Sequence, residues 1–134
     1  MRNRLAALCQ ANGIQLLFAF GSRAREALEL VDGRRAVLTN PGADLDIGAK
    51  PSGPLGIRQK AAIAVELEEL FGVARVDLVV LPEADPFLAA NVIRGERLYA
   101  EDEHAAAEYV LYILRRAGDL APLERERLSL LEKR

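Results

Sequence analysis

Residues 14–22 read IQLLFAFGS. Seven residues, apolar except for Gln15, run into a glycine–serine pair. The run is short for a buried helix, and its aromatic and branched content favours a strand covered on both faces. Arg23 to Leu30 then reads as a short helix. Gly21 permits a tight turn and close backbone approach, and the N–H groups after it, with the Ser22 hydroxyl, can face an anion at a helix N-terminus. Taken alone, the dipeptide is an ordinary strand-to-helix turn.

Working outward, helix and strand alternate. Arg2 to Asn12 carries Leu5, Leu8 and Cys9 at helical spacing, and Gly13 closes it. Val31 to Ala43 holds the turn signals Asp32-Gly33 and Asn40-Pro41-Gly42 around RRAVLT, and an excursion with one extra strand or hairpin arm is expected there. Ala43 to Ala49 alternates as a half-buried strand does. A helix beginning at or near Pro54 runs to Phe71, with Ile57, Ala61, Ala64, Leu67, Leu70 and Phe71 inward and Gly72 as its end. Ala74 to Leu81 is a third central strand, stopped by Pro82. A short helix over Pro86 to Arg94 and an edge strand over Glu96 to Tyr99 follow. His104 to Ala117 is a strong helix, Gly118 to Pro122 breaks it, and a last charged helix runs to Arg134, with Leu128 and Leu131 docking. The order implies an α+β fold with an α/β-like layer and its strands in one sheet. One domain over 1–134 is expected, with its core in 1–100 and a helical extension in 101–134.

Composition bounds the function. With 134 residues, 51% hydrophobic and 28% charged, the chain is neither a disordered tail nor a disulfide scaffold. A formal charge of -2 and a 5% aromatic share leave no basic field for a phosphate backbone and no stacking platform for bases. Neither a nucleic-acid template nor a membrane is expected, since no apolar run approaches the length of a span. The single cysteine, Cys9, cannot pair internally, so a cytoplasmic location is expected. His104 is the only histidine, and there is no cluster of zinc-ligating residues.

Chemistry concentrates on three acids. Asp44 and Asp46 are two apart on a strand, so both leave one face while Leu45 and Ile47 enter the other. Two carboxylates so close repel unless a cation joins them, and a hard divalent ion with oxygen ligands is the natural remedy. Asp77 interrupts an apolar strand and needs a partner. That partner is either a structural one, Arg75 or Arg58, or a metal. If its strand lies beside Asp44 and Asp46, three carboxylates meet on one face, and such a triad suits two Mg²⁺ ions about 3.5–4 Å apart. One ion would steady a triphosphate and the other would lower the pKa of an attacking hydroxyl, with Asp77 as base or ligand.

Phe20-Gly21-Ser22-Arg23-Ala24-Arg25, Ala43-Asp44-Leu45-Asp46-Ile47-Gly48 and Val76-Asp77-Leu78-Val79 together resemble the minimal nucleotidyltransferase (MNT) family of the DNA polymerase β-like superfamily. Arg94-Gly95-Glu96-Arg97-Leu98-Tyr99 is similar to that family's closing segment. The resemblance spans roughly the first hundred residues in order. It implies a polymerase β-type fold, a mixed sheet of three to five strands flanked by helices, with an added C-terminal helix. It also implies transfer of AMP from ATP with Mg²⁺, two ions being expected. Asp44, Asp46 and Asp77 would be the catalytic and metal-holding acids, and Gly21 and Ser22 the phosphate-binding turn. Arg23 and Arg25 would neutralise triphosphate charge, although a solvated helix-face role is open for each. Members often act as antitoxins that adenylylate a tyrosine of a helical HEPN ribonuclease toxin, which makes such a toxin the expected partner. Ser22 and Asp44 lie 22 positions apart, a longer gap than the family's. Two alternatives stand beside this reading: a partner-binding antitoxin with a vestigial site, and nucleotidyl transfer to a small hydroxylated molecule. The apolar Tyr109–Leu114 stretch and its neighbours also allow self-association through the C-terminal helix.

Overall fold

The structure is a computed structural model that describes residues 1–132. Its elements in chain order are α1 (Arg2–Ala11), β1 (Ile14–Phe20), α2 (Ala24–Val31), β2 (Leu45–Pro51), α3 (Ile57–Phe71), β3 (Val76–Val80), α4 (Pro86–Ile93), β4 (Glu96–Ala100) and α5 (Glu103–Glu132). Single 3-10 turns cover Gly21–Arg23 and Leu81–Glu83.

The strands form one mixed sheet in the order β3-β2-β1-β4. β1 pairs antiparallel with both β2 and β4, and β2 pairs parallel with β3. β1 is therefore central, as its apolar run requires, and β4 is an edge. Side chains alternate between two cores. Leu17, Ala19, Leu45, Ile47, Ala49 and Val76 join residues of α1, α2 and α3 on one face. Leu16, Phe18 and Phe20 join Ala89, Val92 and Ile113 of α4 and α5 on the other. The expected α+β sandwich with a C-terminal helix is present. Cys9 is a buried free thiol in the first core, and burial pushes its pKa up to about 12.

The helix ends follow local chemistry. Asp85 caps α4 by accepting the Phe87 and Leu88 N–H groups, with Pro86 in the first turn. Asp102 does the same for α5 through His104 and Ala105. Gly72 ends α3 with φ +68, the left-handed conformation that glycine adopts without a Cβ penalty.

Five expectations are corrected. The third strand, expected to be central, is β3 at the sheet edge opposite β4, with β2 as its one neighbour. The excursion contains no strand: residues 32–43 are turns and bends around one buried side chain, Leu38. Its backbone is held by turn hydrogen bonds and by side chains of the preceding turn and helix instead of by a strand ladder. Glu26 accepts the Thr39 N–H at 2.9 Å and Arg23 donates to the Thr39 carbonyl at 2.5 Å. On α3 the inward stripe is Ile63, Leu67, Leu70 and Phe71, whereas Ile57 and Ala61 are exposed. Ile57 lies off the phase that the other four define. Gly118 to Pro122 does not break α5, which runs through Pro122. Proline removes one hydrogen bond, to the carbonyl of Gly118, and at that exposed residue water can replace it. Leu128 and Leu131 are exposed instead of docked. The expected end of the last helix at Arg134 lies outside the described residues.

Candidate active site

The site is built where β1 ends and β2 and β3 begin. Leu45, Ile47 and Ala49 of β2 enter the first core, so Asp46, Gly48 and Lys50 take the opposite face. Asp46 lies opposite Phe20 of β1 and opposite Asp77 of β3. The parallel register thus places two of the expected acids side by side, as the alternation on each strand requires. Asp44 stands one residue before β2 and is exposed. The peptides on either side of it are fixed, because the Leu45 N–H donates to the Arg75 carbonyl at 3.0 Å and the Ala43 carbonyl accepts from Arg23 at 2.6 Å.

The turn after β1 closes the site from its other side. Gly21 has φ +76, and a Cβ there would lie 2.7 Å from Oδ2 of Asp46. The turn backbone therefore lies directly against the carboxylate, an approach open to glycine alone. Ser22 is exposed, and its hydroxyl has no hydrogen-bond partner among the described residues.

Electrostatics agree with the geometry. Burial raises the pKa of Asp46 above its ordinary value, and the negative charges of Asp77 and Asp44 raise it further. Asp77 also meets Arg75 at 3.1 Å, one of the two structural partners considered from sequence. With side chains 68% and 40% exposed, that pair lies in solvent, where such contacts contribute about 0–1 kcal/mol. It leaves Asp77 facing Asp46.

The two arginines separate. Arg25 is exposed and pairs loosely with Glu96 at 3.8 Å. Arg23 is 8% exposed, and its guanidinium is turned to the carbonyls of Thr39 and Ala43. It is committed to the protein, and the solvated helix-face role left open for it from sequence does not hold. The partners that hold it there, with Glu26 and Thr39 clasped around the excursion, were missed from sequence. Arg23, Glu26 and Thr39 have no fixed spacing that signals contact. Two close approaches were missed as well. A Cβ on Gly48 would meet Val92 at 2.2 Å, and one on Gly95 would meet the Ala19 carbonyl at 2.2 Å. These glycines press α4 and the start of β4 onto the sheet, and the second brings Glu96 beside the end of β1.

The donor set suits Mg²⁺ in one mode of binding. Among the described residues no three His, Cys, Asp or Glu side chains form a ready-made cage. The donors present are carboxylates, the ligands a hard cation prefers, and their mutual repulsion is uncompensated at Asp46. Mg²⁺ commonly takes one or two carboxylates and completes its shell with water and substrate phosphate. The residues fit that mode. The acids stand on an open shelf, whereas a cleft of about 390 Å³ lined by Gln15, Lys50 and Tyr109 lies at the other end of the sheet. No helix among the described residues is long and apolar enough to cross a membrane.

A family model described as polymerase beta, nucleotidyltransferase matches residues 3–104. Among solved structures, a mutant of the toxin–antitoxin MntA–HpeT superposes with a TM-score of 0.68 at 19% identity, covering 99% of this chain and 97% of that one. A toxin–antitoxin with AMP-PNP gives 0.67 at 19% identity, covering 98% and 96%. A tri-AMPylated Shewanella oneidensis HEPN toxin in complex with MNT antitoxin gives 0.65 at 19% identity, covering 98% and 93%. At these identities the likeness is one of fold. Comparison with curated proteins returned no match.

Proposed function

The chain belongs to the polymerase beta nucleotidyltransferase family, and from that premise we propose that it transfers AMP from ATP to a hydroxyl of a protein partner, as the antitoxin of a helical HEPN-type toxin. The observation that carries this reading is the register that sets Asp46 beside Asp77 with the Gly21 turn against Asp46. Support for the nucleotide and the acceptor comes from the structures of similar fold, one with AMP-PNP and one with a tri-AMPylated HEPN toxin.

The roles follow from the positions. The backbone N–H groups after Gly21 and the free Ser22 hydroxyl hold phosphate oxygens, and the exposed Arg25 neutralises part of their charge. Asp44, Asp46 and Asp77 would hold Mg²⁺. When bound, it supplies positive charge to the triphosphate and lowers the pKa of the acceptor hydroxyl. A carboxylate oxygen of Asp77 accepts the proton as the acceptor oxygen bonds to the α-phosphorus. The bond from that phosphorus to the bridging oxygen breaks, and pyrophosphate leaves with its electron pair. The open shelf admits a side chain presented by another protein.

Incubation with labelled ATP, Mg²⁺ and the neighbouring-gene helical protein is expected to label that protein. Asp46→Ala is expected to abolish labelling while the fold persists. An unlabelled partner in the presence of folded, nucleotide-binding protein overturns the reading. A second reading, neutralisation by occlusion with a vestigial site, is favoured by the exposed leucines of α5. It predicts that the Asp44→Ala/Asp46→Ala double variant still suppresses the partner in cells.

A further inference from the structure

We propose that Arg23 is a positioning residue that locks Asp44 to the Ser22 turn. Among the described residues it is the only charged one that is buried. Burying a guanidinium is costly unless its donors are used. Here they are used on the excursion. One terminal nitrogen donates to the Ala43 carbonyl at 2.6 Å, the other to the Thr39 carbonyl at 2.5 Å, and Nε stands 4.0 Å from Glu26. The carbonyl of Ala43 belongs to the peptide whose nitrogen is that of Asp44, so this bond fixes the plane from which Asp44 departs. Arg23 also ends the Gly21–Arg23 turn, directly after Ser22. A single side chain therefore ties the turn that would hold phosphate to the acid that would hold the metal.

Glu26 completes the clasp from the same side. Its carboxylate accepts both the Thr39 N–H at 2.9 Å and the Thr39 hydroxyl at 2.6 Å, and Arg35 lies 3.6 Å away. On the far side, the Pro41 carbonyl accepts from the Ala74 N–H at 2.9 Å. The excursion between Ser22 and Asp44 is long, yet its last residues are held at both flanks. A long loop costs little extra to close, but an unclasped one would leave Asp44 free to wander. The guanidinium fork suits two carbonyls at once, and an ammonium cannot span them.

The geometry stands without the nucleotidyltransferase reading; the consequence for metal and catalysis rests on it. Three measurements on the full chain separate the two. Hydrogen exchange at residues 39–45 is expected to speed by at least tenfold in Arg23→Gln and Arg23→Lys, with α1, β1 and α3 unchanged. Mn²⁺ affinity in the presence of AMP-PNP is expected to fall about tenfold in both. In the transfer assay, kcat is expected to fall by at least tenfold while KM for ATP stays within twofold. Should Arg23→Gln fail to fold, Thr39→Val loosens the same clasp at an exposed residue and is expected to move exchange and Mn²⁺ affinity in the same direction. A raised KM with unchanged kcat and unchanged exchange assigns Arg23 to the phosphates and overturns the proposal. So does unchanged exchange or unchanged Mn²⁺ affinity in the variants. A wild-type protein without transfer activity overturns the proposed function instead, and exchange and Mn²⁺ binding still decide the clasp.

Discussion

At Gly21 a backbone angle and a contact act together, and they can be separated. Its φ of +76 strains any L side chain, and its added Cβ would also press on Asp46 Oδ2. Gly33 has φ +77 with nothing within 4 Å of an added Cβ. Gly33→Ala is therefore expected to cost only the strain, about 1–2 kcal/mol, with transfer activity kept. Gly21→Ala is expected to cost at least as much and to lower transfer by about 100-fold, because it displaces the carboxylate itself. Thermal melts and labelling rates on the two variants check this. Asp46 gives a second test. Its pKa is raised in the fold, so the native state binds the proton more tightly than the unfolded chain. Stability is therefore lost as pH rises through that raised value, and is regained in acid. In metal-free buffer Asp46→Asn is expected to melt a few degrees above the parent at pH 7, with the gap closing below about pH 4, where the parent's carboxyl is protonated in both states. A variant less stable than the parent at pH 7 would show that Asp46 is held by contacts other than the crowd of charges.

Among the elements, α4 depends on the absence of two side chains. Gly48 sits mid-strand under Val92, and Gly95 sits on the Ala19 carbonyl. Gly48→Ala is expected to cost about 1–3 kcal/mol by overpacking, and adding Val92→Ala is expected to return part of it, since Val92 is the obstructing atom group. Gly95→Ala meets backbone, which no side-chain change relieves, so its cost is expected to be larger and without rescue. Denaturant melts of the single and double variants measure both. A glycine inside a strand pattern signals such an approach, but not which residue approaches. That division runs through the whole reading. β1 and the phase of β2 and β3 were legible because strand period fixes which side chains share a face, whereas the neighbouring of β2 and β3 that sets Asp46 beside Asp77 was only a condition, since period does not say which strands pair. Residues 32–43 were not legible, because side chains of α2 and the turn before it hold them, and such contacts leave no period. The burial of Arg23 was not legible for the same reason, because it depends on a loop folded over it. The inward stripe of α3 was half legible. Ile57 and Ala61 are apolar, but both lie off the phase that Ile63, Leu67, Leu70 and Phe71 share, and phase decides burial.

For the whole molecule, the long final helix poses a question that the two cores do not answer. Thirty residues span about 45 Å, and Ala106, Ile113 and Ala117 seat the first half on the sheet. Beyond Ala117 none of the described side chains is buried, and Leu123, Leu128, Leu130 and Leu131 are 46–63% exposed. A helix of that length without packing is marginal in water, so this half contributes little to the stability of the rest. A chain ending at Ala117 is expected to melt within about 2 °C of the full chain. A larger drop would mean that the distal half stabilises the core after all. If the proposed function holds, the same truncation is expected to abolish capture of the proposed helical partner, because exposed apolar patches of this kind mark contact surfaces. Light scattering on both chains separates the two coverings. An unchanged mass with lost capture assigns the leucines to the partner. A halved mass on truncation assigns them to a second copy of this chain, and then the contact with the proposed partner lies elsewhere.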